Sequence, residues 1–305
     1  MKKMINILLL FVLLFPSFTV ASEQTETKET AVTGTVQLLQ DLNVFPQTEG
    51  NLTRGAFAAF AARLCGAQLE VQETECFADV NEDYEYWDDL LAAKSFSLIY
   101  GDENGFFSPN DNITRDAAVE ILLRLLGYWD YAQEFGGISA CAAQIGLTAN
   151  LPQTSGEYVD VKMYIKLMEN ALDIPVMELE TVGDAQVKRS RTLLEAYLGL
   201  ELYSGRITAC SETTLLGDSD LQAGELILTV GEEELQLESD LSGEKLYALL
   251  GRKAKVYASW EQGVHKAISL LPQEQDSTLE INAEDLLTEQ TDKRKLVYRD
   301  AAGKK

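Results

Sequence analysis

Histidine and closely spaced cysteine are nearly absent from this chain of 305 residues. The sequence contains one histidine, His265, and four cysteines without any Cys-x-x-Cys spacing. This scarcity excludes most zinc sites and the acid–base mechanisms that need several imidazoles or paired thiols. We therefore expect a protein that has no catalytic residues, no metal site and no cofactor, and that is not an enzyme.

Two of the four cysteines, Cys65 and Cys76, flank one short connection. They would form a disulfide if the chain is exported into an oxidising medium. The alternative is that all four cysteines, including Cys141 and Cys210, are small hydrophobic residues with free thiols. The sequence leaves both alternatives open.

Positive charge is scarce as well. The chain has 49 aspartate and glutamate residues against 25 lysine and arginine residues, for a formal net charge of −24. Binding to the phosphates of nucleic acid needs a basic surface, so we expect no nucleic-acid partner. The acidity is typical of a protein that stays soluble outside the cell.

A long apolar run occurs near the N-terminus, and no later segment offers a membrane span. Two lysines precede the run, and a small-residue cleavage site, Thr19-Val20-Ala21, follows it. This pattern predicts a signal peptide over residues 1–21 and then a polar linker over residues 22–35. The run from Ile7 to Phe15 is too short for a mature anchor, so we expect a secreted chain without a membrane span.

One phrase occurs twice in the remaining sequence. Residues 51–66 return as residues 112–127, with Thr, Arg, Ala, Arg, Leu and Gly in register at an offset of 61 residues. Thr53 and Thr114 are the predicted N-caps of two helices, and apolar residues at helical spacing run from each cap to a glycine. Self-similarity at this period predicts units that bury their apolar faces against one another.

A fainter third copy begins at Val159. Asp160 is an equally good N-cap, and Met168 and Leu172 rebuild the apolar stripe. The Thr-Arg pair of the first two copies is missing, because Asp160 and Val161 stand in its place.

An ordered set of short motifs precedes the second copy. Phe77-Ala-Asp-Val80 is followed by Tyr86-Trp87 and by a glycine-bounded turn over residues 101–110. This order resembles the S-layer homology module, whose pattern runs Phe-x-Asp-Val, Trp, Gly-x-x-x-Gly-x-Phe-x-Pro, Thr-Arg-Ala-Glu. Residues 77–127 match the pattern nearly end to end, whereas the first copy keeps mainly its Thr-Arg helix.

The resemblance implies a multidomain chain. Three S-layer homology repeats, at about residues 36–66, 77–127 and 130–175, would form one α-helical, pseudo-trimeric domain over residues 36–175. In the resembled family, the grooves of such a unit hold a pyruvylated secondary cell-wall polysaccharide. We therefore expect a secreted protein that is associated with the cell wall or S-layer, with this polysaccharide as its partner.

The ligand-binding candidates follow from the motif positions. Arg54 and Arg115 come directly after an N-cap, where the helix start favours anions and a guanidinium can hold a carboxylate with two hydrogen bonds. By resemblance, Trp87, Gly101 and Asp102 are neighbours in the same site. The alternative is that both arginines only pair with some of the many acidic residues.

The departures from the pattern limit the expected function. The glutamate that closes the Thr-Arg-Ala-Glu motif is Ala56 in the first copy and Ala117 in the second, and the third copy lacks its arginine. We expect at most two competent sites. A second function class stays open, in which an envelope structural or assembly protein uses degenerate repeats as a scaffold for contacts with other proteins.

The sequence pattern changes after Pro175. Residues 176–200 are predicted to form a connecting helix, mainly from Val182 to Leu198, and residues 201–305 a small β-rich α+β or partly open barrel domain. One short helix is predicted inside that domain, from Leu241 to Leu250. The strand predicted last has no returning partner, which indicates either a domain incomplete at its C-terminus or an open sheet edge. The predicted strands are Ser204 to Ser211, Glu225 to Val230, Glu234 to Leu237, Lys253 to Trp260, Val264 to Leu270, Thr278 to Ile281 and Lys295 to Tyr298.

Two weaker motifs favour no further activity. Ser219 lies in a Gly-Asp-Ser-Asp-Leu run similar to a block of some lipolytic enzymes, but Gln262 stands where an aspartate should precede His265. We expect an acidic turn at Ser219. Asp79, Asn81 and Asp83 alternate like calcium ligands, but the required glycine and the closing glutamate are missing, so we expect a loop whose carboxylates cap helices.

Overall fold

A computed structural model of the chain gives its architecture. The predicted signal peptide, most of the predicted linker and the motif at Ser219 lie outside the residues that it describes. The described residues are 34–47, 49–66, 75–134, 136–152, 157–182, 185–215, 220–273, 281, 283–287, 296–300 and 302–305.

The N-terminal half is helical and has one hydrophobic core. Large side chains from five of its helices are almost completely buried there, among them Leu39, Phe57, Leu90, Leu122 and Tyr164. The helices are α1 (34–41), α2 (Arg54–Leu64), α3 (Trp87–Ser95), α4 (Arg115–Leu125), α5 (Trp129–Glu134), α6 (Ile138–Gln144) and α7 (Val161–Asp173).

Three of these helices, α2, α4 and α7, begin in the same way. Their N-cap residues are Thr53, Thr114 and Asp160, and each cap side chain accepts a hydrogen bond from the backbone N–H three residues further on. The distances are 3.2, 3.2 and 2.8 Å. Each bond satisfies one of the free donors of a first helical turn, which fixes where the helix starts.

The residues directly before these caps are joined in a closed ring of backbone hydrogen bonds, which we call the capping ring. The Leu52 N–H donates to the Val159 carbonyl at 2.9 Å, the Ile113 N–H to the Leu52 carbonyl at 2.9 Å, and the Val159 N–H to the Ile113 carbonyl at 3.0 Å. All three side chains are buried. The starts of three helices that are distant in sequence are therefore held together at one point.

Tyr164 of α7 lies at the centre of the helical core. Its ring makes an edge-on contact with Phe57 at 5.8 Å and a tilted contact with Phe60 at 5.7 Å, both from α2. Burial raises the pKa of Tyr164 well above its usual value, so the hydroxyl keeps its proton and donates to the Val44 carbonyl. This bond ties the segment after α1 to the core.

The connection between the two halves differs from the sequence prediction. The predicted connecting helix over residues 176–200 is a β-hairpin of β1 (Glu178–Val182) and β2 (Ala185–Arg189), followed by the short helix α8 (Leu193–Tyr197). The two strands pair antiparallel, with Val182 opposite Ala185. The helix begins only after Thr192, whose capping box with Glu195 starts α8.

The predicted β-rich domain is present in the C-terminal half. Its six-stranded sheet has the order β4-β3-β5-β6-β8-β7, and β3 also pairs with β7. This last pairing closes β3, β5, β6, β8 and β7 into a barrel. The elements are β3 (Glu201–Cys210), β4 (Thr213–Thr214), β5 (Glu225–Val230), β6 (Glu233–Ser239), α9 (Gly243–Leu249), β7 (Lys253–Glu261) and β8 (Val264–Pro272).

This strand order is that of the OB-fold barrel. The neighbouring strands pair antiparallel except β6 and β8, which are parallel, and α9 lies between β6 and β7 in the chain. The long strand β3 pairs with β7 through its first half and with β5 through its second half. Gly205 lies near the change of partner, where an added Cβ would approach the Thr229 carbonyl oxygen to 2.4 Å, so a larger residue would push the strands apart.

The barrel packs against the helical half. Tyr257 of β7 and Ile268 and Leu271 of β8 contact the helical core. The Ser269 hydroxyl also donates to the Asp41 carboxylate of α1 at 2.6 Å. One side of the β7–β8 hairpin therefore faces the barrel core and the other side the helices.

The C-terminal segment pairs with an earlier one. Tyr298 forms a β-bridge with Leu286, and the Leu287 N–H donates to the Val297 carbonyl at 2.8 Å. The predicted last strand thus finds a partner after the short 3₁₀ turn Ala283–Asp285. Most of the strand predicted from Thr278 lies outside the described residues.

In the described residues, no disulfide joins Cys65 and Cys76. Of the two alternatives that the sequence left open, the structure therefore favours the one without this disulfide. Cys141 and Cys210 are buried, whereas Cys65 and Cys76 are half-buried. Burial raises the pKa of the Cys76 thiol.

Removing the Tyr164 hydroxyl is expected to destabilise the protein. Tyr164→Phe keeps the packed ring but leaves the Val44 carbonyl without its donor, which should cost about 1–3 kcal/mol in the free energy of unfolding. Urea denaturation followed by circular dichroism measures this. The control is Tyr247→Phe at an exposed tyrosine of α9, and equal stability of the two variants would contradict this role.

Candidate functional site

The candidate site is a cleft of about 790 Å³ beside the start of α2, which we call the Arg54 cleft. The loop of residues 100–108 forms one wall, and the strand-like segment before α4 forms another. The lining residues are Arg54, Tyr100, Gly101, Asp102, Phe106, Phe107, Ser108, Asp111, Asn112, Thr114 and Tyr158.

Arg54 is held firmly against the loop. Its backbone N–H donates to the Asp111 carbonyl at 2.8 Å, and its side-chain Nε donates to the Phe107 carbonyl at 3.0 Å. The guanidinium carbon lies 4.8 Å from the centre of the Phe107 ring, a cation–π contact. Because Nε donates to the Phe107 carbonyl, a ligand would be bound by the two terminal Nη groups of the guanidinium.

Asp79 shapes the loop that Arg54 contacts. Its carboxylate accepts hydrogen bonds from the backbone N–H groups of Phe107 at 2.8 Å and Ser108 at 2.7 Å. The Phe77 ring stacks on the Phe107 ring with a centroid distance of 4.9 Å. The Phe-x-Asp-Val motif therefore positions the wall of the cleft, and its aspartate accepts hydrogen bonds from backbone donors of that wall.

A tight turn at Gly101 and Asp102 forms the far part of the same wall. The Asp102 carboxylate accepts hydrogen bonds from the backbone N–H groups of Asn104 at 2.8 Å and Phe106 at 2.9 Å. These bonds, with that from Phe106 first, lower the pKa of Asp102 below its usual value of 3.8. An added Cβ at Gly101 would lie 3.1 Å from the Phe77 ring, so a side chain at this position would require the neighbouring atoms to shift.

Exposed aromatic rings are concentrated in the Arg54 cleft. Tyr100, Phe106 and Tyr158 are 57%, 46% and 41% exposed and all line it. Carboxylates of Asp102 and Asp111 lie in the same lining. A cation, acceptor groups and open aromatic faces together can hold a polar, ring-shaped ligand by hydrogen bonds and stacking.

Arg115, the second predicted arginine, lies outside the lining of the Arg54 cleft. Its side chain is 58% exposed, and its Nε lies 3.8 Å from the Asp116 carboxylate, which is itself 85% exposed. Such a pair is weak in water. Its backbone N–H donates to the Glu157 carbonyl at 2.9 Å, so the guanidinium stands at the junction with the third sequence copy.

Trp87 is separated from the other predicted residues. It lies in a second cleft of about 500 Å³, which is lined mostly by acidic side chains together with Arg63 and Tyr84. The structure therefore brings together Arg54, Gly101 and Asp102, but neither Arg115 nor Trp87.

The third copy offers no cation at the corresponding position. Asp160 caps α7 through its side chain, and Val161, at the place of the arginines, is half-buried. In the described part of this copy, the helix start therefore lacks the guanidinium that Arg54 and Arg115 supply.

The second arginine of the repeated phrase has a structural role that the sequence analysis did not assign. Arg63 pairs with the buried carboxylate of Asp89 at 2.6 Å, and Arg124 pairs with Glu120 at 2.6 Å. The guanidinium of Arg124 also lies 3.7 Å from the centre of the Trp129 ring. Their recurrence in register was visible in the sequence, whereas their partners were not.

The aromatic lining was also missed. Tyr100 and Tyr158 lie outside the motifs that carried the prediction, and Tyr158 comes from the segment before the third helix start. Their pattern along the chain has no periodicity that could have identified them. Only the capping ring brings Tyr158 next to Thr114, through a β-bridge between these two residues.

Comparison with known proteins identifies one domain in this region. Residues 77–119 match the S-layer homology domain family, so the S-layer homology module predicted there is confirmed. The chain is also similar to a protein named cell surface protein from Thermoanaerobacter kivui, with 24% identity over 215 residues. The similar region covers 64% of this chain and 28% of that relative, so the chain matches well under half of the relative's length.

Among the described residues, no helix is both long and apolar enough to cross a membrane.

The turn of the cleft wall should lose stability in acid. Because the folded-state pKa of Asp102 is lowered below 3.8, its ionised form stabilises the fold above about pH 4, and this contribution is lost as the pH falls through the lowered pKa. Melting temperatures of the wild type and Asp102→Asn should differ at about pH 6 and converge towards about pH 2. Glu103→Gln, at a neighbouring exposed residue, is the control, and a difference independent of pH would contradict the assignment.

Proposed function

We propose that this chain is a secreted cell-envelope protein that attaches non-covalently to the bacterial cell wall by binding an anionic polysaccharide in the Arg54 cleft. The S-layer homology domain and the similarity to a cell surface protein support a location at the cell surface. The observation that carries the proposal is the position of Arg54, which is fixed at the wall of an open cleft with exposed aromatic rings.

The ligand is proposed to carry carboxylates, as pyruvylated wall polysaccharides do. A chain with a net charge of −24 repels a polyanion over most of its surface, so binding must be concentrated where a fixed cation overcomes that repulsion. The start of α2 adds to the charge of Arg54, since its first N–H groups are partially positive. A guanidinium hydrogen bond to a carboxylate contributes about 1.5–3 kcal/mol.

The proposed binding unit contains all three sequence copies, at about residues 36–66, 77–127 and 130–175, arranged as a pseudo-trimer. The capping ring supports this arrangement, because Leu52, Ile113 and Val159 each donate to the next member and accept from the previous one. The Arg54 cleft then lies between the first and second copies. At the junction of the second and third copies, Arg115 would bind the ligand. At the remaining junction, Val161 stands in the position of the arginine.

The proposed role is binding without catalysis. Gly101 and Asp102 contribute the wall of the cleft, and Thr53, Thr114 and Asp160 fix the helix starts. Trp87 is not part of this proposed site, since it lies in the other cleft. Because the chain spans 28% of the length of its relative, activities of a longer protein are not carried over to it.

Loss of the Arg54 charge is expected to weaken attachment to the wall. Arg54→Gln removes the charge-assisted hydrogen bonds, so the affinity for purified wall sacculi should fall about tenfold to a hundredfold. Co-sedimentation of the full chain with sacculi measures it, and circular dichroism verifies that the variant is folded. Arg115→Gln tests the second junction in the same way.

Two controls separate polysaccharide binding from protein scaffolding. Arg299→Gln, at an exposed arginine remote from the cleft in sequence, should bind like the wild type. Sacculi stripped chemically of their secondary polysaccharide should no longer retain the wild-type chain. Retention by stripped sacculi, or unchanged binding of Arg54→Gln, would refute the proposed cleft and leave the scaffold role.

A further inference from the structure

A second exposed aromatic group lies on the barrel, far from the Arg54 cleft in sequence. Trp260, near the end of β7, is 63% exposed. Among the large hydrophobic residues that the structure describes, it has the highest exposed fraction. Its ring contacts His265 of β8 with a centroid distance of 4.4 Å, and His265 contacts Tyr203 of β3 at 5.4 Å. We call these three rings the barrel aromatic cluster.

The cluster is held by strand pairing, ring contacts and one hydrogen bond, although it is open to solvent. Trp260 and His265 are directly opposite each other in the antiparallel β7–β8 ladder. Tyr203 is anchored by a hydrogen bond from its hydroxyl to the Glu201 carboxylate at 2.5 Å. Burial and this bond raise the pKa of Tyr203 to about 12, so the hydroxyl remains protonated. Side chains held in this way lose little conformational entropy when a ligand binds.

The position of the cluster in the barrel corresponds to a ligand-binding region of the fold. Barrels of this topology bind oligonucleotides or oligosaccharides with the face of their second and third strands and with two loops, of which one joins the fourth strand to the fifth. Here β7 and β8 are the fourth and fifth barrel strands in chain order. Trp260 and His265 flank the loop that joins them.

The charge around the cluster selects between these ligand classes. The Glu201 carboxylate lies in the cluster itself, since it accepts a hydrogen bond from the Tyr203 hydroxyl, and the chain around it carries a net charge of −24. The neighbouring cation, Lys266, is opposite Ser259 in the ladder and therefore lies on the other face of the hairpin from Trp260 and His265. Such an acidic surface repels the phosphates of an oligonucleotide and the carboxylates of an acidic glycan.

We propose that the barrel aromatic cluster is a binding site for an uncharged oligosaccharide, with the Trp260 ring as the surface on which a sugar ring stacks. The apolar face of a sugar would cover the exposed indole, and its hydroxyls would donate to the carboxylate of Glu201. This site is chemically distinct from the Arg54 cleft, which is proposed to take an anionic glycan. The chain would thus bind two chemically different carbohydrates, one through each half.

The test measures binding of defined glycans to the full chain by isothermal titration calorimetry. The probes are chitohexaose as a neutral oligosaccharide, an oligogalacturonate as an anionic one, and a single-stranded oligothymidylate as the nucleic-acid arm. We expect chitohexaose to bind at this site. We expect neither the oligogalacturonate nor the oligothymidylate to bind there. Trp260→Ala should weaken the binding of chitohexaose about tenfold or more, because a stacked tryptophan dominates such interfaces.

Matched variants distinguish stacking on Trp260 from binding of the sugar elsewhere on the chain. Tyr247→Ala removes an aromatic ring of similar exposure, 54%, from α9 of the same domain, and should bind chitohexaose like the wild type. Arg54→Gln should also bind chitohexaose like the wild type, although its affinity for sacculi is expected to fall. The proposal is overturned if chitohexaose does not bind, if Trp260→Ala binds it unchanged, or if Tyr247→Ala loses as much affinity.

Discussion

The capping ring is the interaction on which the helical half depends. Its three backbone hydrogen bonds connect Leu52, Ile113 and Val159, which lie far apart in the chain. Because each of these residues directly precedes an N-cap, the ring fixes the origins of α2, α4 and α7 relative to one another. The Arg54 cleft is a direct result, since Arg54 follows one cap while Thr114 and Tyr158 come from the other two segments.

Within that frame, the chemistry of the cleft depends on how its one arginine is held. An acidic chain has few cations to place, and here two of the repeated arginines, Arg63 and Arg124, serve internal ion pairs. Arg54 instead has its Nε fixed by the Phe107 carbonyl, so the guanidinium is oriented before any ligand arrives. Asp79 makes this possible because it stabilises the loop that presents that carbonyl.

Prediction from the sequence succeeded where the determining contacts are local. Helix starts at Thr53, Thr114 and Asp160 depend on a side chain and a backbone N–H three residues away, so a motif is enough to find them. The connecting helix was wrong because the β1–β2 hairpin depends on pairing across a turn, which propensity alone does not reveal. Closure of the barrel by β3 and β7, and the lining of the cleft by Tyr158, rest on contacts between distant segments that no local pattern encodes.

The contact between the barrel and the helices has a mechanical consequence. Tyr257, Ile268 and Leu271 pack on the helical core, and Ser269 is bonded to Asp41, so the two halves are not joined by the covalent chain alone. If the helical half holds the wall, a tensile load on the barrel has to shear this packed junction as a whole before the connecting peptide is stretched. The junction would then pass the strain of a swelling or growing envelope directly to the anchoring end.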